Sequence, residues 1–76
     1  MTIDLFERFL RHFNSRSPFR SYLIELVSGD RLEVRHPEAI TRTDDFFYLR
    51  SPNREQRVFE ADTVVQIILP APAPTT

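Results

Sequence analysis

Tyr22 to Val34, YLIELVSGDRLEV, sets two alternating apolar runs on either side of the single glycine in the chain. This predicts two antiparallel strands folded about a tight turn, in a register that decides which side chains share a face. If Gly29 and Asp30 alone form the turn, Val27 opposes Leu32 and Leu26 opposes Glu33, mixing apolar and charged residues. A three-residue connection of Ser28, Gly29 and Asp30 instead pairs Leu26 with Leu32 and Ile24 with Val34. Glu25, Glu33, Val27 and Arg31 then lie on the other face. The longer loop is predicted, with Gly29 supplying the positive φ such a loop requires.

The remaining elements are placed around this hairpin. Thr2 caps a helix over residues 3–14, with Asp4 and Glu7 near its positive end. Ile3, Phe6, Leu10 and Phe13 recur at spacings of three and four, flanked by Leu5 and Phe9, while Glu7, Arg8 and Arg11 lie opposite. Phe6, Phe9 and Phe13 are therefore read as core. Ser15 to Pro18 forms an extended connector. Strands are predicted over 21–27, 31–36, 45–50, 56–60 and 64–69, with Pro37 ending the second because it has no N–H to give a ladder. Ala39 to Asp45 reads as a loop anchored by Ile40, and Ser51 to Arg54 as a turn. Without a second helix to act as a parallel crossover, the pattern predicts a mainly β domain over 1–69 with one N-terminal helix. Its five strands form a strongly bent antiparallel sheet curling into a small barrel. Pro70 to Thr76 carries three prolines and reads as a disordered tail.

At 76 residues with no cysteine, the chain has little interior and no disulfide to reinforce it. A domain of this size buries only about 60% of the surface its unfolded chain exposes. Self-association through edge strands is the predicted remedy. The absence of cysteine suits a reducing cytoplasm, and no apolar run approaches the ~20 residues of a membrane helix. All ten basic residues are arginine, but eleven acidic residues interleave with them and the net charge is −1. Charge alone gives little support for nucleic-acid binding. Asp44 with Asp45, and Glu60 with Asp62, are carboxylate groups close in sequence, either solvated loop ends or a site for Mg²⁺ or acid–base chemistry. His36 is either a turn residue or a ligand. With one glycine there is no phosphate-cradling loop, and no nucleophile lies at a motif spacing from either histidine. No catalytic residue, metal site or cofactor is predicted.

The element order, with Leu23 to Leu32, Thr43 to Leu49, and Gln56 to Phe59 leading through Ala61 to Val64-Val65 and Ile68-Leu69-Pro70, resembles the Sm-like fold. It is most similar to the bacterial Hfq-type RNA chaperones, whose subunits are small SH3-like barrels. The resemblance implies a homo-oligomeric ring that binds single-stranded RNA without catalysis. The RNA-binding residues it implies are Phe46, which matches the ring that stacks on a base, with Arg16 and Arg20 at a basic rim and Arg50 and Arg31 beside them. Two departures bear on this. Phe59-Glu60-Ala61 stands where the family has tyrosine-lysine-histidine, and Val34 followed by His36-Pro37 stands where it has a glycine at the bend. Phe46 can also be read as a buried strand aromatic. The alternative function is a protein-interaction or assembly module on the same barrel, with a protein partner and no nucleic acid. The Val34 to Glu38 segment also resembles small bacterial proteins, a likeness that implies no activity.

Overall fold

The computed structural model describes residues 1–51 and 53–70. The expected disorder of the tail falls mainly on 71–76, which lies outside the described residues, as does Pro52 of the predicted turn. Helix α1 spans Ile3–Asn14. Thr2 Oγ1 accepts the Leu5 N–H at 3.2 Å, satisfying one of the donors a helix leaves unpaired at its start. Asp4 in the first turn and Arg11 and His12 in the last complement the helix dipole.

Among the described residues six strands follow: β1 (Tyr22–Leu26), β2 (Arg31–Val34), β3 (Ile40–Thr43), β4 (Phe46–Arg50), β5 (Gln56–Glu60) and β6 (Val64–Ile68). A short 3₁₀ turn, Ala61–Thr63, links the last two. The strands form two antiparallel sheets of three, ordered β2-β1-β6 and β3-β4-β5. This corrects the expectation of five strands in one bent sheet, and strand pairing does not close the two sheets into a barrel. The cause lies at Pro37. The second strand stops at Val34 rather than His36, and His36 to Ala39 makes a turn in which the Ala39 N–H donates to the His36 carbonyl at 3.1 Å. Pro37 occupies the second position of that turn, where its fixed φ is favourable. The segment expected as a loop then resumes as β3, whose Ile-Thr-Arg-Thr sequence is rich in β-branched residues.

The hairpin register is also corrected. Ile24 pairs with Leu32 and Tyr22 with Val34, so the three-residue loop is Val27-Ser28-Gly29. Gly29 is its last residue, at φ +94°. Its N–H closes the turn onto the Leu26 carbonyl at 2.8 Å, while the Leu26 N–H donates to the Asp30 carbonyl at 2.9 Å. Because the last position of such a loop is the left-handed one, glycine fixes where the loop ends. Moving the loop back by one residue shifts the pairing by two, and a shift of two returns every side chain to the same face. Tyr22, Ile24, Leu32 and Val34 therefore point inward and are buried.

Phe6 is fully buried, at 0% exposure. Its ring meets Phe47 edge-on at 4.8 Å and Phe59 at 5.8 Å, and those two rings stack on each other at 5.8 Å. At the other end of the helix Phe13 packs 5.5 Å from Tyr22, and the Tyr22 hydroxyl donates to Asn14 Oδ1 at 2.8 Å. The helix thus spans both sheets, its first half on β4 and β5 and its last turn on β1. An ion pair from Glu7 to Arg42 fastens it to β3. Phe9 is a correction to the predicted core: it is half-buried, 6.2 Å from Phe13, and lies outside the buried cluster.

Two outcomes are expected. Phe6→Ala should cost roughly 3–5 kcal/mol, whereas Phe9→Ala, at a half-buried flank, should cost much less; equal shifts in urea midpoint for the two variants would contradict this core. Burial pushes the Tyr22 phenol up to about 12, above an ordinary value of about 10. A raised folded value makes the stability from Tyr22 complete below about pH 10, with progressive loss as the pH climbs toward 12. Stability measured across that range should fall less steeply in Tyr22→Phe than in the parent chain.

Candidate nucleic-acid interface

Along β4 the side chains alternate between faces, so Phe47 and Leu49 enter the core while Phe46, Tyr48 and Arg50 lie on the outer face of the β3-β4-β5 sheet. Phe46 is therefore not a core ring. It is half-buried, and its ring meets that of Tyr48 edge-on at 5.5 Å. Cross-strand pairing completes the face: Thr43 and Glu60 flank Phe46, Thr41 and Val58 flank Tyr48, and Gln56 lies opposite Arg50. Val58 is 56% exposed. Residues two apart on a strand are spaced about 6.7 Å, so two aromatic rings and a guanidinium follow one another in a line.

The two ends of this line differ in charge. At the Phe46 end, Asp45, Glu60 and Asp62 border one depression together with Thr2 and Ile3. Among the described residues no group of three histidine, cysteine or acidic side chains is arranged to hold a metal ion. At the Arg50 end, a depression of about 310 Å³ is lined by Ala39, Thr41, Tyr48, Arg50 and Gln56. A neighbouring one of about 510 Å³ is lined by Arg35, His36, Glu38, Ala39, Arg50 and Ser51. Arg50 borders both, and among the described residues it makes no ion pair. Its position is fixed from the backbone, where the Arg50 N–H donates to the Ala39 carbonyl at 3.0 Å.

Of the residues singled out in the sequence, Phe46 and Arg50 share this face and the others do not. Arg31 lies on β2 in the other sheet, where its Nε is 3.2 Å from Glu25 Oε2. Gln66 donates to the same carboxylate at 2.7 Å. The Gln66 and Arg31 hydrogen bonds together hold the Glu25 carboxyl below the ordinary carboxylate range. Arg31 is thus engaged in a cross-strand pair. Arg16 lies just past the helix with its guanidinium 5.9 Å from the Phe13 ring. Arg20 is exposed in the connector before β1. The sequence reading missed Tyr48, and it treated His36 without Arg35 and Arg50. The alternation in Phe46-Phe47-Tyr48-Leu49-Arg50 carried the signal for Tyr48, since the outward set is the one that ends in a charge.

Comparison of the chain with protein-family models, with curated proteins and with solved structures finds no match. Among the described residues no helix is long and apolar enough to cross a membrane.

Proposed function

We propose that this chain is a cytoplasmic, non-catalytic protein that binds single-stranded RNA on the outer face of β3-β4-β5 and acts as a homo-oligomer. The observation that carries the reading is the contact of Phe46 with Tyr48 on that face, in line with Arg50. Bases stack on aromatic rings without much regard to sequence, and a neighbouring guanidinium meets the phosphate between them. The similarity to the Sm-like pattern points the same way. Because Glu60 stands beside Phe46, stacking rather than phosphate contact accounts for binding at that end. The basic end at Arg50 supplies the charge.

Self-association is supported by the edges. β5 and β6 each end a sheet, and they carry exposed Val58 and Val65, the latter 54% accessible. An unpaired edge with apolar side chains accepts a neighbouring strand, and contact between β5 of one subunit and β6 of the next closes a ring when the rotation permits. The acidic residues at the Phe46 end favour a second reading, an assembly module that binds a protein and no nucleic acid.

Fluorescence anisotropy with short single-stranded RNA should show affinity that rises as salt falls. Phe46→Ala or Tyr48→Ala should weaken it about 5- to 150-fold, from a stacking contribution of roughly 1–3 kcal/mol. Failure to bind any homopolymer at low salt would remove the RNA reading in favour of the assembly module. Light scattering at micromolar concentration should give a mass several times that of one chain, reduced by Val65→Lys; a monomeric parent chain would refute the ring.

A further inference from the structure

We propose that the depression between the β2–β3 turn and the end of β4 is a phosphomonoester site, taking the terminal phosphate of an RNA strand whose last base lies on Tyr48. This rests on the RNA reading of the sheet face and adds to it a preference for one kind of strand end. The argument begins with Arg50, which borders both the depression against Tyr48 and the larger one against Arg35 and His36. A single nucleotide can therefore place its base on the sheet and its phosphate beyond the strand end while touching the same guanidinium with both halves.

The donors beyond Arg50 suit a phosphate. Arg35 pairs with Glu33 through Nε, which steadies the guanidinium at the rim, and that contact leaves the terminal nitrogens of the fork to donate elsewhere. His36 adds an imidazole from the first position of the Pro37 turn. Two guanidinium groups match a monoester, which carries close to two negative charges at neutral pH, better than the single charge of a diester linkage. Glu38 faces the same depression. Its carboxylate repels a phosphate placed beside it but accepts a hydrogen bond from a hydroxyl, so the sugar lies toward Glu38 and the phosphate toward the arginines. The turn that interrupts the second strand is what brings Arg35, His36 and Glu38 together against Arg50. The volume of about 510 Å³ falls within the range of small-ligand sites.

The test compares RNA hexamers of one sequence that end in hydroxyls, in a 5′-phosphate or in a 3′-phosphate, with adenosine 5′-monophosphate as a separate probe. One phosphorylated end should bind at least about threefold tighter than the hydroxyl-ended strand, and Arg35→Gln should bring that ratio to one. Equal binding of all three hexamers overturns the phosphate site while leaving the RNA-binding face standing. Binding of adenosine monophosphate that Arg35→Gln abolishes, with no hexamer bound, supports the site and rejects the strand-binding reading. If no probe binds, both are rejected.

Discussion

Two small sheets without a common ladder need something to join them, and here it is helix α1, anchored by Phe6 at one end and Phe13 at the other. Phe6 reaches from the helix into the angle formed by Phe47 and Phe59, while the far end of the same helix rests on Tyr22 of the other sheet. Full burial of such a side chain contributes roughly 1.5–3 kcal/mol. That is a large share of the total for a chain this short, where stability amounts to about 0.05–0.15 kcal/mol per residue. The helix is therefore less a cover than a brace, and Glu7 with Arg42 holds it at the third strand. The hairpin adds a second tie: the Val27 N–H donates to the Thr63 carbonyl at 2.7 Å, and Arg57 reaches Asp30 at 3.4 Å. Each sheet is thus fixed to the other by side chains and loops.

Features that repeat were legible in the sequence. The helix announced itself by apolar residues three and four apart, and β4 by alternation with aromatic residues. What escaped was set by single residues acting against a pattern. Ile40 to Thr43 carries one apolar residue, Ile40, and so reads as a loop, although Thr41 and Thr43 are strand formers on the outer face. The hairpin register turned on whether Gly29 sits in the middle or at the end of its loop. Both choices bury the same face, so hydrophobic pattern could not separate them. Phe9 illustrates the converse: its composition suits a core, but the helix presents one narrow stripe to the sheets and Phe9 lies at its margin.

The candidate site shows the same division. Phe46 and Arg50 could be placed together from strand period alone, since they are four apart on one strand. Arg16, Arg20 and Arg31 could not be placed, because whether basic residues converge is a property of packing between elements. Arg31 is consumed by Glu25, and Arg16 lies over the Phe13 ring. Meanwhile Arg35 and His36, separated from Arg50 by more than a dozen positions, border one depression with it because the turn folds them back.

Pro37 has a consequence for how copies of the chain could meet. A continuous second strand would offer a long border for a foreign backbone to follow. Split at the proline, it leaves two four-residue pieces, Arg31–Val34 and Ile40–Thr43, each too short to template much pairing. Strand addition is thereby discouraged at the β2 and β3 edges, which leaves β5 and β6 as the borders where a second backbone would pair.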